Sequence, residues 1–253
     1  MKVLLSPAKA IDITKKVTTK KKTEPQFLNE AETLVKKLSK MSSKKIGTMM
    51  KLSKDLSDLN HERYQNWQNS TELSDETAHA IAAFNGEVYR GFDATTLSEK
   101  QLDVAQDKVR VLSGLYGVLK PLDVIYPYRL EMGTKWSVTP AKKNLYQFWG
   151  KRLAENINAE NEDGVIVNLA STEYFKALDK KTLKGRIITP VFKDLKNGEY
   201  KMIMVFAKKA RGMMARFIVE NNINDPEDLK AFDMGGYRFD ANMSTEDEWV
   251  FTR

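Results

Sequence analysis

The stretch RIITPVFKDLKNGEYKMIMVF, residues 186–206, decides the fold class. Two runs rich in β-branched and aromatic residues lie on either side of Asn197-Gly198, and an Asn-Gly pair between such runs is the strongest short signal for a β-hairpin. We predict two long antiparallel strands here, RIITPVFKDLK and EYKMIMVFA. A helix is predicted to follow over residues 208–222.

Further strands are indicated on both sides of this hairpin. GVIVNLA (164–170) is a continuous apolar run, typical of a strand buried on both faces. Residues 2–5 predict a first strand, and YRFD (237–240) with EWVFT (248–252) predicts a final hairpin.

Helical spacing of apolar residues marks the rest of the chain. The predicted helices are residues 27–40, a segment capped by Ser43, a segment through Leu59 and Trp67, and residues 76–84, 98–109 and 143–160. GEVYRGFDATT (86–96) is predicted as a loop. Together these elements predict a mixed α/β (α+β) protein, a single domain of residues 1–253 with a mixed sheet and a mainly helical, lysine-rich insertion at about 26–110.

Composition excludes several classes of function. The chain has no cysteine, which rules out disulfides, thiolate catalysis and zinc–thiolate sites. His61 and His79 are not spaced as a metal pair, so we predict neither a metal nor a cofactor. No apolar run reaches the roughly 18 residues of a membrane helix, and the four apolar residues before Ser6 are too few for a signal peptide. We expect a cytoplasmic protein without a membrane partner, most simply a monomer.

The net charge of +7 is unevenly distributed. Residues 1–54 contain fourteen lysines and four acidic residues, a net charge of +10, whereas the remaining 199 residues carry 27 basic and 30 acidic residues, a net charge of −3. Such asymmetry indicates either a polyanionic partner or a solvated, lysine-rich surface.

Three polar motifs lie where α/β proteins often place ligand sites, in loops or at the ends of strands. LLSPAK (4–9) follows the first strand, YPYRLEMG (126–133) carries an Arg and a Glu two residues apart, and NLASTEYF (168–175) links a strand to a short helix. An Arg–Glu pair is either a structural ion pair or one side of a phosphate clamp. The candidate residues in these motifs are Ser6, Lys9, Arg129, Glu131, Asn168 and Ser171.

Two further motifs combine glycine with basic residues. In SGLYGVLKPLD (113–123) the glycines predict a tight turn that serves packing or ligand access, with Lys120 facing the ligand. AKKARGMMARF (207–217) places Gly212 inside a predicted helix, which costs ~1 kcal/mol relative to alanine. We therefore expect another backbone or a nucleic-acid strand close to it. Four basic residues without an acidic neighbour make this helix a phosphate-binding candidate: Lys208, Lys209, Arg211 and Arg216.

Taken together and in this order, these motifs resemble the YaaA peroxide-stress family of bacterial cytoplasmic proteins. The resemblance rests on LLSPAK (4–9), LSGLYGVLKPLD (112–123), PYRLEMG (127–133), LYQFWG (145–150), NLASTEYF (168–175) and AKKARGMMARFI (207–218). It implies an unusual α/β fold with a positively charged cleft that binds duplex DNA. It also implies induction by hydrogen peroxide and protection of DNA through limitation of free intracellular iron.

The resemblance further implies a helix-hairpin-helix-like element shared with DNA-repair proteins. The best candidate is residues 33–56, where the second helix opens with Lys44 and Lys45 and its backbone N–H groups are able to grip a phosphate. Ser42-Ser43 stands where such motifs usually carry a glycine pair.

Three functions are compatible with these observations. The first is a non-catalytic protein that binds double-stranded or structured DNA through phosphates, without an array of base-reading residues. The second is an enzyme that acts on a nucleotide or a phosphorylated small molecule in the same cleft, although we single out no catalytic residue. The third is an iron-handling or regulatory module that acts through a partner. The predicted phosphate-binding residues are Lys9, Lys44, Lys45, Lys120, Arg129, Lys208, Lys209, Arg211 and Arg216, with Ser6, Glu131, Asn168 and Ser171 as polar pocket residues.

Overall fold

The computed structural model describes residues 1–162 and 164–253. Its strands are β1 (Lys2–Leu5), β2 (Ala10–Ile11), β3 (Ala78–His79), β4 (Phe84–Asn85), β5 (Val109–Ser113), β6 (Gly117–Leu119), β7 (Val124–Ile125), β8 (Val165–Asn168), β9 (Arg186–Lys196), β10 (Glu199–Lys201), β11 (Arg238–Phe239) and β12 (Glu248–Thr252). Eight of them form one sheet in the order β11-β12-β9-β8-β1-β5-β6, with β10 paired to β9.

The centre of this sheet is parallel and its margins are antiparallel. Strands β12, β9, β8, β1 and β5 run in the same direction, whereas β6, β10 and β11 pair antiparallel with their neighbours. Val3 of β1 lies between Val109 of β5 and Val167 of β8, and all four residues of β1 are buried. The predicted mixed sheet and α/β class are confirmed.

The α-helices are α1 (Leu28–Leu38), α2 (Ser43–Met50), α3 (Lys54–Asn66), α4 (Ala80–Ala83), α5 (Glu87–Phe92), α6 (Glu99–Lys108), α7 (Leu145–Trp149), α8 (Arg152–Ala159), α9 (Thr172–Phe175) and α10 (Met204–Glu220). Ser98 caps α6 in a capping box, as its position before the apolar pattern predicts. Ser42, rather than the predicted Ser43, caps α2 by accepting a hydrogen bond from the Lys45 amide. Within the described residues, no helix has the length and apolar character needed to cross a membrane.

The hairpin predicted at Asn197-Gly198 is present, but its second strand is short. Both turn residues have positive φ values, 54° and 79°, as a two-residue hairpin turn requires. β10 ends at Lys201, and Met204 already begins α10, so the predicted strand over 202–207 was wrong. β9 is paired with β8 and β12 over Arg186–Lys193, which leaves β10 only the last residues of β9.

Three other local predictions were wrong. The helix predicted over 76–84 is β3, a single turn (α4) and β4, because β3 pairs with β7 and β4 pairs with β2. The loop predicted over 86–96 contains α5. The helix predicted over 143–160 is interrupted at Gly150, whose φ of 56° ends α7.

The helical segment between β1 and β5 shares one hydrophobic core with the sheet. Leu34 of α1 and Ile46 of α2 belong to the same buried cluster as Val3 and Ile188 of the sheet. Trp67, which follows α3, donates an indole hydrogen bond of 2.8 Å to the hydroxyl of Tyr116 in the turn between β5 and β6. The segment is therefore packed on the sheet.

Candidate functional site

The largest concentration of predicted site residues is at the carboxyl ends of β1 and β8. Because these strands are adjacent and parallel, the loops that follow them meet at one edge of the sheet. The Ser6 hydroxyl accepts a hydrogen bond from the Ser171 amide at 2.8 Å and donates to the Ser171 hydroxyl at 3.3 Å. This is the crevice in which open α/β sheets usually bind ligands.

A cavity of about 630 Å³ opens at this crevice. Four of the predicted motifs contribute to its walls, together with the chain around the start of α5, which was not predicted. The lining comprises residues 6–10, 85–89, 131, 169, 171–174, 204, 208 and 211. Its volume is in the range of small-molecule sites.

One wall of the cavity is set by the crossing of α5 and α10. A Cβ atom on Gly91 would lie 2.1 Å from the Lys209 carbonyl oxygen, and one on Gly212 would lie 1.8 Å from the Val88 carbonyl oxygen. Both positions therefore require glycine, and the expected close approach to Gly212 is made by another helix of this chain. The crossing places Lys208 and Arg211 of α10 opposite the start of α5, on the same cavity.

A chain of ion pairs centred on Glu131 also lies at the cavity. Its two carboxylate oxygens contact Lys9 Nζ and Arg129 Nη2, each at 3.2 Å. Arg129 does not line the cavity, and its buried Nε has no hydrogen-bond acceptor in the described part of the chain. The carbonyl oxygen of Arg129 accepts a hydrogen bond from Tyr64, which fixes the loop against α3.

Two tyrosines at the cavity are neutral hydrogen-bonding groups. Tyr89 donates a hydrogen bond of 3.0 Å to the Ser6 carbonyl oxygen, and burial raises the pKa of its phenol well above 10. Burial also raises the pKa of Tyr174, and the charges of Glu173 and Glu131 raise it further. Neither phenol is therefore suited to act as a base at neutral pH.

The ionic groups of the cavity are unevenly paired. Glu87 forms an ion pair with Arg90, Glu131 is paired with Lys9, and Glu173 accepts the Gly133 amide at 2.8 Å. The side chains of Lys208 and Arg211, by contrast, have no hydrogen bond or ion pair with any described residue. Burial lowers the pKa of the Arg211 guanidinium, which still remains a cation at neutral pH.

A second basic feature lies beside α2. A groove of about 700 Å³ is lined by four lysines, and none of the described residues that line it is acidic. None of these lysines has an ion pair within residues 1–162 and 164–253. We call this feature the lysine groove, and its lysines are Lys37, Lys44, Lys45 and Lys135.

The remaining predicted residues lie elsewhere. Lys120 forms an ion pair of 2.8 Å with Glu160, which also pairs with the buried Arg110. Lys209 is exposed but does not line the cavity. The buried Asn168 accepts the Ala170 amide at 3.1 Å and so shapes the turn after β8.

Arg216 also lies away from the cavity, and its guanidinium is engaged within the fold. It donates to the carbonyl oxygens of Phe92 and Asp93 at the end of α5, and it pairs with Glu220 at 2.8 Å. These contacts give it a structural role in holding α5.

The SGLYGVLKPLD stretch forms the β5–β6 hairpin and packs inside the protein. A Cβ atom on Gly114 would lie 2.2 Å from the Leu130 carbonyl oxygen, and the Gly114 carbonyl accepts the Trp149 indole N–H. Gly114 and Gly117 are buried, so these glycines serve packing.

Sequence reasoning missed several contributors to the two basic features. Residues 86–89 belong to the segment predicted as a loop (86–96), although the glycine pair in GEVYRG is compatible with a tight helix crossing. Lys37 and Lys135 were not singled out, because no local pattern brings α1 and the 131–138 loop next to α2. Within residues 1–162 and 164–253, no group of three or more His, Asp and Glu side chains is placed to hold a metal ion.

Comparison with known proteins identifies the family. The family model described as peroxide stress protein YaaA matches residues 1–243. The chain belongs to the YaaA family. It is 48% identical over 256 residues to a UPF0246 protein of Shewanella sp. (strain ANA-3) and 50% identical over 258 residues to one of Maricaulis maris (strain MCS10). Both alignments cover all of this chain. They cover 99% of the length of the Shewanella protein and 96% of the length of the Maricaulis protein, so this YaaA family member matches both relatives over nearly their full length.

Proposed function

We propose that this YaaA family member acts in the peroxide-stress response by binding double-stranded or structured DNA through its phosphates and protecting it from iron-dependent oxidative damage. The observation that carries the proposal is the lysine groove, with four unpaired lysines and no acidic residue among the described residues that line it. A cluster of cations without internal counter-ions attracts a polyanion, and DNA presents a regular row of phosphates.

The start of α2 supports phosphate binding in the groove. Lys44 and Lys45 lie in its first turn, where the backbone N–H groups that Ser42 does not cap point out of the helix and favour an anion. The candidate helix-hairpin-helix-like element of residues 33–56 includes this turn. α2 packs closely on α3, where a Cβ atom on Gly47 would lie 2.2 Å from the Ser57 hydroxyl oxygen. The α2–α3 pair is therefore the compact unit that would present these lysines.

The loop of residues 131–138 connects the lysine groove with the cavity. Glu131 lines the cavity, whereas Lys135 and Trp136 line the groove. Four residues of extended chain span at most about 14 Å. Lys9, whose Nζ lies 3.2 Å from Glu131, is thus close enough to the groove to extend the path of a bound strand.

Phosphate binding also provides a physical link to iron. DNA in solution carries condensed cations along its phosphates. When lysines neutralise those phosphates, the condensed cations are released into solution. Ferrous ions held at the backbone would be released in the same way. Hydroxyl radicals formed from peroxide at such ions would then arise farther from the DNA. This protection requires no iron-binding site in the protein.

The test is a titration of a fluorescent DNA duplex with the protein at several salt concentrations. If 6–10 phosphates are contacted, affinity should fall by about 10³–10⁵ between 50 and 200 mM salt. The double variant Lys44→Ala/Lys45→Ala should weaken binding and reduce the slope of log affinity against log salt by about 2. The matched control is Lys180→Ala/Lys181→Ala, an exposed lysine pair that lines neither the groove nor the cavity.

The same variants test protection. Strand breakage of plasmid DNA by ferrous iron and peroxide should be slowed by the parent protein and by the control variant, but less by the Lys44/Lys45 variant. A folded Lys44/Lys45 variant with unchanged affinity and salt slope would rule out the lysine groove as the DNA site.

A further inference from the structure

Lys208 and Arg211 place two positive charges without an ion pair on one wall of the cavity. They lie three residues apart on α10 and therefore on the same face of the helix. The three carboxylates that line the cavity already have partners. Glu87 pairs with Arg90, and Glu131 pairs with Lys9 and Arg129. Glu173 accepts a hydrogen bond from the Gly133 amide. Within the described residues, no carboxylate therefore lies within ion-pair distance of either cation.

The position of Arg211 makes this imbalance informative. A lysine on an exposed surface keeps its hydration, but the Arg211 side chain is partly withdrawn from water into the cavity wall. A guanidinium without an acceptor loses hydration and gains no hydrogen bond in return. All of its N–H donors remain available to a planar or tetrahedral oxyanion.

The rest of the cavity is suited to an organic group attached to that oxyanion. At about 630 Å³ it is larger than a phosphate ion needs. Val88, Leu169 and Met204 supply apolar wall, and the Ser6–Ser171 hydroxyl pair supplies polar atoms at the strand ends. Its place at the carboxyl ends of adjacent parallel strands is the usual ligand position of an open α/β sheet.

From these observations we infer that the cavity binds a phosphate monoester, the terminal phosphate of a nucleotide, between Lys208 and Arg211. A phosphate monoester carries a charge near −2 at neutral pH and neutralises both cations. A phosphodiester carries a single negative charge and would leave one of them unpaired. The site is separate from the lysine groove and requires neither DNA binding in that groove nor a catalytic step.

The first experiment measures binding of the four common 5′-mononucleotides and of inorganic phosphate by isothermal titration calorimetry. At least one mononucleotide should bind with a Kd below about 1 mM, and the matching nucleoside should not. Arg211→Ala should weaken that binding by at least about tenfold. Lys180→Ala, at an exposed position that lines neither the cavity nor the lysine groove, should leave it unchanged.

The variant Arg211→Lys distinguishes the contribution of the positive charge from that of the paired N–H donors of the guanidinium. Because lysine keeps the positive charge but loses bidentate geometry, this variant should bind more weakly than the parent and more tightly than Arg211→Ala. The melting temperature of each variant identifies any that fail to fold. If no mononucleotide binds, or if Arg211→Ala in its folded state binds as tightly as the parent protein, the inference is wrong.

A terminal phosphate monoester is also present at the end of a DNA strand, and a second comparison distinguishes the two sources. Hairpin duplexes with a 5′-phosphate or a 5′-hydroxyl end are titrated into the parent protein and the Arg211→Ala variant. Tighter binding of the 5′-phosphate hairpin that is lost in Arg211→Ala assigns the site to DNA ends. Equal binding of the two hairpins, together with Arg211-dependent mononucleotide binding, assigns it to free nucleotides.

The two proposals fail independently. Weaker duplex binding with a smaller salt slope in Lys44→Ala/Lys45→Ala, together with unchanged mononucleotide binding, supports both. Mononucleotide binding without any duplex binding refutes only the proposed function, whereas duplex binding without Arg211-dependent phosphate binding refutes only the cavity assignment.

Discussion

Gly91 and Gly212 face each other across the contact between α5 and α10, and each lies against the backbone of the other helix. A Cβ atom on Gly91 would lie 2.1 Å from the Lys209 carbonyl oxygen, and a Cβ atom on Gly212 would lie 1.8 Å from the Val88 carbonyl oxygen. This crossing places the unpaired cations of α10 at the cavity. Helix packing and the candidate site therefore depend on the same two residues.

Substitution of Gly212 by alanine is expected to destabilise the protein. The added methyl group would overlap the Val88 carbonyl oxygen, so the two helices would have to separate. Overpacking of this kind costs about 1–3 kcal/mol, more than the ~1 kcal/mol that alanine gains in a helix. Urea denaturation measures the change. Lys209→Ala, on the exposed side of the same helix, is the control and should change the free energy of unfolding by less than about 0.5 kcal/mol. If Gly212→Ala were as stable as the parent protein, the two helices would have room for the added methyl group.

Asp123 should make stability depend on pH. Burial raises its pKa to about 7, although hydrogen bonds from the Thr23 hydroxyl and the Lys120 amide and the charges of Lys120 and Arg110 oppose the rise. Between its unfolded pKa of 3.8 and about 7 the folded protein holds a proton that the unfolded chain has released. Raising the pH through this window therefore lowers the free energy of unfolding, by up to about 1.4 kcal/mol per pH unit.

Asp123→Asn is the comparison for this effect. It removes the titrating group, so the difference in unfolding free energy between parent and variant should change with pH from 4 to 7 and become constant above about pH 8. Denaturant titrations at a series of pH values measure it. A difference that is the same at all pH values would mean that Asp123 titrates normally in the folded protein.

Arg216→Met is expected to lower stability without changing the affinity of the folded protein for DNA. The guanidinium donates to the Phe92 and Asp93 carbonyls and the Thr96 hydroxyl and pairs with Glu220. Loss of these charge-assisted hydrogen bonds should cost about 2–4 kcal/mol. Thermal unfolding and a DNA titration below the melting temperature measure the two quantities. A stable variant with weaker DNA binding would instead support the sequence-based prediction that Arg216 contacts phosphate.

Tyr116→Phe tests how the helical segment is held on the sheet. The Tyr116 hydroxyl oxygen accepts the Trp67 indole N–H at 2.8 Å and the Tyr126 amide at 3.2 Å. Phenylalanine would leave both buried donors without an acceptor, at a cost of about 1–3 kcal/mol for each. Urea denaturation followed by tryptophan fluorescence should show this loss, and Tyr200→Phe, at an exposed position, is the matched control. Equal stability of the two variants would mean that water reaches the Trp67 and Tyr126 donors.

The sequence predicted the elements whose signals are local. The Asn197-Gly198 turn, the buried run at β8 and the helix beginning at Ser98 each depend on neighbouring residues, and each is present. The failures involve distant partners. β3 and β4 form only because β7 and β2 pair with them, and α5 forms where Gly91 allows α10 to approach.

The site was predicted unevenly for the same reason. Six of the predicted residues converge at one cavity because strand ends and one helix face meet there. They are Ser6, Lys9, Glu131, Ser171, Lys208 and Arg211. Lys120 and Arg216 have the same charge but are paired with Glu160 and Glu220. Composition and spacing identify a cation, but they do not show whether the fold already contains its counter-ion.

The central strand β1 has an implication for biosynthesis. Val3 is synthesised before both of its neighbours in the sheet, Val109 and Val167. At about 5–20 residues per second, roughly ten seconds or more pass before the second neighbour exists. During that time the nascent chain exposes an unpaired hydrophobic strand, and the completed chain must close long loops before the sheet forms. Folding of this protein is therefore expected to be slow, and its newly made chains to be targets for chaperones that bind exposed apolar segments.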